Sequence, residues 1–424
     1  MGKMVEGLRA PAAKRQHELT SAQALLLVLA ASQLLFTINL GRPAQPFFDE
    51  MHYLPAARSL IAGIEYGNIE HPPFAKFLIG LSMALFGDTP FGWRLIGSFM
   101  GTATAAGVFL IAQALFRDVK LSVYAATFAL LNHFLFVQAR IAMLDVFMSG
   151  LLLPAIWLLI DAYGGRRVRL KLALSGVLFG LAVGCKWAAV PYLAAGCLAY
   201  LLIRLRRPHA WPGVSTLAGL ALLGGVSLVA YLASFAPAFF VERNPLTLTT
   251  LIPHQIEIYR QQTLPLAPHG YMSDWWDWPL IGRPIWYLYE PVQGLMAGVL
   301  LVGNPAIMWG GLGAVAACLI AGFLSRDPRL LLTAGLFLFA YGIWIIIPKK
   351  IGFYYYYYLP ALFLPIALAA FFCLYCNRKG LRWLPRIFTA AAATLFIYFY
   401  PILSAAPLDN EMAFLHWTWF ESWK

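Results

Sequence analysis

Long apolar runs dominate this chain and restrict what it can fold into. Eleven stretches of about 20 mostly apolar residues are long enough to cross a bilayer as helices. Because the runs are continuous rather than alternating with polar residues, they indicate helices and not a membrane β-barrel. The sequence therefore predicts an all-α polytopic membrane protein of about 11 transmembrane helices. The runs lie near 21–40, 91–116, 120–137, 141–161, 171–188, 189–203, 213–235, 295–323, 330–348, 354–376 and 383–401.

The composition agrees with this interpretation. Hydrophobic residues make up 61% of the 424 residues and charged residues only 12%, so a soluble chain of this length would lack the polar surface that its domains need. The five cysteines lie in or beside apolar runs and indicate packing rather than a disulfide framework. These observations exclude soluble enzymes, disordered chains and disulfide scaffolds.

The distribution of charge predicts the orientation in the membrane. The net charge is +12, yet 19 of the 31 Lys and Arg residues fall in the alternate connections that lie inside if the N-terminus is inside. Only five of the 19 Asp and Glu residues share those connections. This asymmetry follows the positive-inside rule. It explains the basic balance without nucleic acid as a partner, and the basic tail before the first run indicates an uncleaved signal-anchor.

Two connections are too long to be turns, and both are external in this orientation. Within the first of them, residues 51–62 and 74–87 have helical periodicity but are too short to span, which predicts interfacial helices. The predicted regions are a cytoplasmic tail 1–20, a first membrane region 21–235 with the first external segment 41–90, a second external segment 236–294, a four-span region 295–401 and an external tail 402–424.

Adjacent carboxylates, Asp49 and Glu50, open the first external segment. Two carboxylates at a membrane surface repel each other and lose hydration, which raises a pKa and suits a general base. Solvated loop carboxylates are also ordinary, so their position alone leaves both interpretations open. His52, His71 and Lys76 follow in the same segment.

Further charged residues lie at the predicted outer ends of the apolar runs, where the bilayer makes a charge costly. Each alone fits a snorkelling anchor, and the adjacent tyrosine run 354–358 fits an aromatic belt. Together the cations are suited to neutralise a lipid phosphate or pyrophosphate at the membrane surface. These residues are Arg140, Asp145, Lys186, Lys349 and Lys350.

Seven motifs occur in an order that resembles a known family. They are FDEMHY, HPPFAK, ARIAMLD, GLAVGCKW, WPLIGRPIWY, GNPAIMWGG and YYLPALF, and they cover roughly residues 45 to 400. In this order they resemble the protein O-mannosyltransferases, C-type membrane glycosyltransferases that use dolichyl- or polyprenyl-phosphate-mannose. The acidic pair alone is shared with aminoarabinose transferases, whereas HPPFAK and GNPAIMWGG are more specific. Because 236–294 has no room for a lumenal β-trefoil domain, the resemblance implies a compact bacterial-type member in an inner membrane, with its site facing outside.

The resemblance also implies roles for individual residues. Asp49 matches the catalytic base that takes the proton of the acceptor hydroxyl, and Glu50 matches its partner in shaping the acceptor site. Arg140 matches a contact to the donor phosphate, assisted by Lys76 and Lys186. The sequence departs from the family pattern at two places. Tyr357 stands where the family often has histidine, and the lysine pair 349–350 stands where an arginine is expected. Further candidates are Lys349 and Lys350 for the phosphate, and His52, His71, Asp145, Trp187, Tyr357 and Tyr358 for the substrates.

The activity implied is inverting transfer of mannose or a similar hexose from polyprenyl phosphate to Ser/Thr of exported proteins. An alternative keeps the donor chemistry with a lipid or polysaccharide acceptor. A transporter or flippase is a third reading, although neither a repeated half nor mid-span charges support it. The second external segment is either an interfacial helix with a tryptophan belt or part of the acceptor groove, through His254, Glu257 and Asp274.

No required cofactor is expected. Asp49, Glu50, His52 and His71 are suited in principle to a divalent metal, but their spacing matches no zinc or calcium motif. No glycine-rich nucleotide cradle is present, so a nucleotide-sugar donor is not expected. The partners expected are the lipid-linked donor, the acceptor and membrane lipids.

Overall fold

The computed structural model describes residues 19–264, 267–347, 351–376 and 380–424. Helices account for most of this part of the chain, with a small antiparallel sheet near its C-terminal third. The helices are α1 (Ser21–Thr37), α2 (Glu50–Ile61), α3 (Phe74–Phe86), α4 (Pro90–Phe116), α5 (Val119–Leu131), α6 (His133–Gln138), α7 (Leu144–Asp161), α8 (Val168–Cys185), α9 (Val190–Arg206), α10 (Thr216–Leu220), α11 (Val226–Ala233), α12 (Leu251–Thr263), α13 (Pro305–Ser325), α14 (Pro328–Ile346), α15 (Tyr358–Ala370) and α16 (Leu384–Leu403). The strands are β1 (Ile285–Val292), β2 (Leu295–Leu301) and β3 (Pro407–Leu408).

The prediction of a polytopic helical membrane protein is confirmed. Among the described residues, nine helices are long and apolar enough to span a membrane. The shorter apolar helices α1 and α5 occupy the places of two further predicted spans, so the predicted count of about 11 fits. Two helices, α2 and α3, stand where short interfacial helices were expected.

Capping residues explain where several spans begin. The side chains of Thr89 and Asn304 accept hydrogen bonds from backbone N–H groups at the starts of α4 and α13, and Asp327 does the same for α14. Each cap is followed by proline, which has no N–H to leave unsatisfied at the first helical position. Local sequence therefore sets these boundaries.

The chain is mostly helical, as predicted, but a small sheet replaces the predicted start of one span. Residues 295–301, predicted to open a span, form β2, and α13 begins only after the Asn304 cap. Strand β1 pairs antiparallel with β2, and β2 pairs with β3 from the C-terminal tail. Hydropathy alone does not distinguish a buried strand from the start of a span. Gln293 and Gly294 connect the two strands, and their φ values of 54° and 84° match a two-residue hairpin turn.

A second difference is a break in the predicted span 120–137. Asn132 separates α5 from α6, because its side chain caps α6 by accepting from Phe134 N–H and donates to the carbonyl of Ala361. The break leads the chain back to the end of the bundle where α1 ends and α4 begins, as shown by the contacts of Arg140 with the end of α1.

The core is deepest around α15. This helix is buried on all sides and packs against α5, α13 and α14, while α4 packs against α1 and α7. The hydroxyl of Tyr358 at the start of α15 lies 2.8 Å from that of Ser149 in α7, and Ser149 lies 2.8 Å from the hydroxyl of Thr104 in α4. These hydroxyl contacts join α4, α7 and α15 inside the core.

Candidate active site

Three of the predicted residues meet at one end of the helix bundle. Asp49 precedes α2, Asp145 lies in the first turn of α7, and Lys186 occupies the break after α8. The Nζ of Lys186 donates to both carboxylate oxygens of Asp145, at 2.9 and 2.8 Å. Asp49 interacts electrostatically with both members of this pair. Residues from three distant parts of the chain thus form one charged cluster, which we call the acidic–lysine cluster.

The environment of Asp49 favours a proton acceptor. Its side chain is half-buried, and burial raises its pKa above the ordinary value of 3.8, with a further increase from Asp145. Lys186, the exposed His52 and a 3.3 Å hydrogen bond from the Tyr53 hydroxyl oppose the shift in part. A carboxylate whose pKa is raised towards the working pH takes a proton more readily.

Aromatic side chains surround the acidic–lysine cluster. A small cavity is lined by Asp145, Lys186 and side chains from the junction of α14 and α15. The Lys186 Nζ lies 5.4 Å from the centre of the Tyr355 ring, and Trp344 stacks on Tyr356 at 4.6 Å. Tyr358, a predicted substrate-binding residue, also lines this cavity. Sequence reasoning missed Trp344, Tyr355 and Tyr356 as site residues, because a tyrosine run beside the membrane also fits an aromatic belt.

Glu50 lies beneath the site, in a fully buried ion pair with Arg94. Its two oxygens accept from the Arg94 guanidinium at 2.7 and 2.8 Å, and one also accepts from the backbone N–H of Ala142 at 2.9 Å. Arg94 further donates to the carbonyls of Leu40, Pro43 and Gln45. The pair thus joins α2, α4, the loop after α1 and the segment before α7. Sequence analysis missed Arg94, although a lone arginine in an apolar run is itself a signal.

Arg140 does not join the cluster among the described residues. Its guanidinium donates to the carbonyls of Phe36, Ile38 and Asn39 at the end of α1, and the side chain is buried. Helix C-termini leave carbonyls without partners, and Arg140 satisfies them. The predicted contact with a donor phosphate stays a prediction, and the geometry shows a capping role.

We expect Arg140→Met to lower stability, because it removes the donor of the carbonyls of Phe36, Ile38 and Asn39, of which the Phe36 carbonyl is buried. The loss should be about 1–3 kcal/mol, the cost of leaving one buried acceptor unsatisfied. Thermal unfolding in a fixed detergent measures it, with the exposed Arg42→Met as the matched control. Unchanged stability with a tenfold higher KM for a lipid-linked donor (roughly one lost charged contact) would instead favour the phosphate role.

Lys76 organises the loop between α2 and α3. Its buried Nζ donates to the carbonyls of Gly67, Asn68 and His71 and lies 4.7 Å from the centre of the Tyr66 ring. Burial lowers the pKa of Lys76 to about 7, and a nearby glutamate opposes that shift. The ammonium group of Lys76, which the sequence predicted to assist in binding the donor phosphate, therefore donates to backbone carbonyls instead.

The remaining predicted residues lie outside the acidic–lysine cluster wherever the structure describes them. The ring of His71 lies 6.2 Å from that of Tyr53, and Trp187 donates its indole N–H to the Tyr231 hydroxyl at 2.9 Å. Tyr357 is fully buried among aromatic rings of α6 and α14, away from the cavity. Lys349 and Lys350 lie outside the described residues.

Helix α12 of the second external segment lies against the first. Gln262 donates to the carbonyl of Glu70 at 2.8 Å, and the ring of His254 lies 5.3 Å from that of Tyr66. The other side of α12 exposes Ile252 and Ile256, as an interfacial helix would. Both expectations for this segment, an interfacial helix and a wall of an acceptor groove, remain compatible with this placement.

Metal ligands are not clustered in the described residues, where no three His, Cys, Asp or Glu side chains come together. Glu50 is engaged with Arg94 and His52 is exposed. The expectation that no metal is required stays a prediction.

Comparisons with known proteins agree with the geometry. Residues 70–232 match the family model described as dolichyl-phosphate-mannose-protein mannosyltransferase. A Mycobacterium tuberculosis polyprenol-phosphate-mannose–protein mannosyltransferase is 27% identical over 484 residues, covering 94% of this chain and 91% of the relative. A Pseudomonas aeruginosa undecaprenyl phosphate-α-4-amino-4-deoxy-L-arabinose arabinosyl transferase is 31% identical over 188 residues, but covers only 42% of this chain and 32% of the relative.

The fold is that of a solved membrane glycosyltransferase. The structure of the Saccharomyces cerevisiae protein O-mannosyltransferase Pmt1-Pmt2 complex bound to the sugar donor matches with a TM-score of 0.79 over 96% of this chain and 93% of that chain, at 13% identity. Likeness at this identity shows the fold alone. The resemblance of this chain to the protein O-mannosyltransferases, predicted from its motifs, is confirmed by the family model over residues 70–232 and by the mycobacterial relative over nearly the whole chain.

Proposed function

We propose that this protein transfers mannose, or a similar hexose, from polyprenyl phosphate to Ser or Thr hydroxyls of exported proteins, with Asp49 as the general base. One observation carries the assignment of the base. Of the three carboxylates in this region, Glu50 is paired with Arg94 and Asp145 with Lys186. Within the described residues, the Asp49 carboxylate accepts its hydrogen bond from the Tyr53 hydroxyl and not from a cation. Asp49 is therefore the carboxylate available to accept a proton.

The reaction is a single in-line displacement. The acceptor hydroxyl gives its proton to Asp49 while its oxygen attacks the anomeric carbon of the sugar. The new C–O bond forms as the bond from that carbon to the phosphate oxygen breaks, and the electron pair leaves with the polyprenyl phosphate. The configuration at the anomeric carbon inverts. Because the phosphate already activates the sugar, one base and a stabilised leaving group suffice.

Lys186 is the cation best placed to support the leaving phosphate. It lines the cavity beside Asp49, whereas Arg140 and Lys76 are occupied by backbone carbonyls. Two of its three N–H groups are directed to Asp145, which orients the ammonium. A fixed positive charge in a partly dehydrated site stabilises the developing negative charge better than a mobile one in water. Lys349 and Lys350 remain proposed contributors.

The donor and acceptor classes rest on the relatives. The mycobacterial relative is named for a polyprenol-phosphate-mannose donor and a protein acceptor, and it aligns over nearly its whole length. The arabinosyl transferase aligns over less than half of this chain, so transfer to a lipid acceptor is the secondary reading. The excess of Lys and Arg in the predicted inner connections supports a site on the extracytoplasmic face of a bacterial inner membrane.

A transfer assay tests this proposal. Purified protein in nanodiscs would be incubated with polyprenyl-phosphate-mannose and a Ser/Thr-rich peptide, and mass spectrometry would detect the added hexose. The same peptide with every Ser and Thr replaced by Ala is the control. We expect hexose on the hydroxyl peptide alone. Transfer only to lipid, or only from an undecaprenyl-phosphate-aminoarabinose donor, would replace the proposed reaction with that of the arabinosyl transferases.

A further inference from the structure

The residue before the proposed base has an unusual backbone conformation. Phe48 has φ of 51°, in the left-handed region that side chains with a Cβ adopt only at a steric cost. Left-handed residues of this kind persist where surrounding contacts hold them. The conformation of Phe48 sets the direction in which the chain enters α2, and hence where the Asp49 carboxylate lies.

A tyrosine of the sheet holds Phe48 in place. The ring of Tyr287, from β1, stacks on the ring of Phe48 with centroids 3.9 Å apart and planes 15° from parallel. The ring of Tyr355 meets Phe48 edge-on at 6.0 Å. Phe48 is therefore clamped between the second external segment and the start of the tyrosine run.

Tyr287 is itself fixed from behind. Its side chain is buried, and its hydroxyl accepts a 3.1 Å hydrogen bond from the amide of the fully buried Gln138 in α6. The sheet is anchored to the C-terminal tail, because Trp286 donates to the carbonyl of Trp423 and the indole of Trp423 donates to the carbonyl of Ile281. Tyr287 is thus held by its hydrogen bond with Gln138 and lies on a sheet that is bonded to the C-terminal tail.

We propose that Tyr287 is a positioning residue: its ring holds Phe48 in the left-handed conformation and thereby places the Asp49 carboxylate at the acidic–lysine cluster. This inference rests on the proposed function of Asp49. It gives a role in placing the base to the sheet, an element that the sequence did not predict. The hydroxyl of Tyr287 is engaged with Gln138, so the stacking face of the ring, and not the phenol, performs the positioning.

Three variants separate the ring from its surroundings. Tyr287→Phe keeps the stacking ring, and Tyr287→Leu removes it. Tyr289→Leu is the matched control, because Tyr289 lies on the same strand but donates to the carbonyl of Glu411 and packs on Phe414 in the tail. We expect Tyr287→Leu to lower kcat on the order of tenfold to a hundredfold, with donor and peptide KM within about twofold, since misplacement of a catalytic group slows the chemical step. Tyr287→Phe and Tyr289→Leu should keep the wild-type kcat.

Labelling of Asp49 gives a readout that does not depend on turnover. A water-soluble carbodiimide with an amine nucleophile modifies accessible carboxyls, and peptide mass spectrometry measures the rate at Asp49. Loss of the Tyr287 ring should raise that rate in Tyr287→Leu and leave it unchanged in the other two variants. Because this readout needs no substrate, it separates the positioning role from the proposed function: absence of hexose transfer by the wild type would overturn only the latter.

The proposal would be overturned by several results. These are an unchanged kcat and labelling rate in Tyr287→Leu, an equal loss in Tyr287→Phe, or an equal loss in Tyr289→Leu. If Tyr287→Leu is poorly folded, Phe48→Leu removes the other half of the stack without disturbing Gln138. Phe48→Leu should then show a fall in kcat on the order of tenfold to a hundredfold, as expected for loss of the ring. Where Tyr287→Leu does fold, the double variant should be no worse than either single one, because both remove the same contact.

Discussion

Asp49→Asn is expected to lower kcat for hexose transfer on the order of a thousandfold, within the range for loss of a general base. The amide keeps the shape of the side chain but does not accept the proton of the acceptor hydroxyl. Neither neighbouring carboxylate can replace it, because Glu50 is held by Arg94 and Asp145 by Lys186. Initial rates of peptide glycosylation measure the loss, and binding of labelled polyprenyl-phosphate-mannose should be retained.

The matched control is Asp88→Asn. Asp88 lies in the same external segment and is bonded to Arg58 and Trp93, away from the cluster, so its kcat should match the wild type. The pH dependence gives a second check. Only ionised Asp49 acts as a base, and burial raises its pKa above 3.8, so activity should fall as the pH is lowered through that raised value. Substantial transfer by Asp49→Asn would exclude this residue as the base.

Glu50→Gln is expected to be among the most destabilising single substitutions in the external segments. Glu50 and Arg94 have fully buried side chains, and removing one charge leaves the other dehydrated and uncompensated. Breaking a buried pair in this way costs about 3–5 kcal/mol. The glutamine amide also replaces one of the two oxygens that accept from the Arg94 guanidinium with an NH2 group, so one buried donor of Arg94 loses its acceptor. Thermal unfolding of purified protein in one detergent measures the change.

An exposed ion pair provides the comparison. Arg58 and Asp88 also join the first external segment at 2.7 Å, but their side chains are 40% and 50% exposed. Loss of this pair in Arg58→Met should cost less than about 1 kcal/mol, because water already solvates both charges. Glu50→Gln combined with Arg94→Met should be less destabilising than the sum of the two single variants. Equal losses at Glu50 and Arg58 would contradict the buried-pair interpretation.

Much of the fold follows from local sequence. Continuous apolar runs locate the spans, and the caps Thr89, Asn304 and Asp327 with their following prolines mark where α4, α13 and α14 begin. The sheet was missed because the apolar residues of β2 run on towards α13, and a strand is distinguished from a helix by its partner. That partner, β1, lies across a two-residue turn whose residues both adopt the left-handed conformation.

Some residues of the candidate site could likewise be predicted from the sequence, and others could not. The motifs point to Asp49, Asp145 and Lys186, and the structure brings these three together. The motifs also point to Arg140 and Lys76, but in the structure both side chains donate hydrogen bonds to backbone carbonyls. The sequence shows that a side chain is charged but not which group it contacts. Only the folded structure shows whether a cation is bound by a carbonyl or by a carboxylate.

The sequence by itself determined that this chain crosses a membrane many times, which family it resembles and which acidic pair opens the site. These properties depend on hydropathy and on short motifs, which are local. Only the tertiary structure decided that the Asp49 carboxylate is bonded to the Tyr53 hydroxyl while Glu50 is paired with Arg94 in the core. It also decided that Tyr287 contacts Phe48 from a sheet more than two hundred residues away. Such assignments depend on which groups, distant in the sequence, come into buried contact with each other. Tertiary packing decides those contacts.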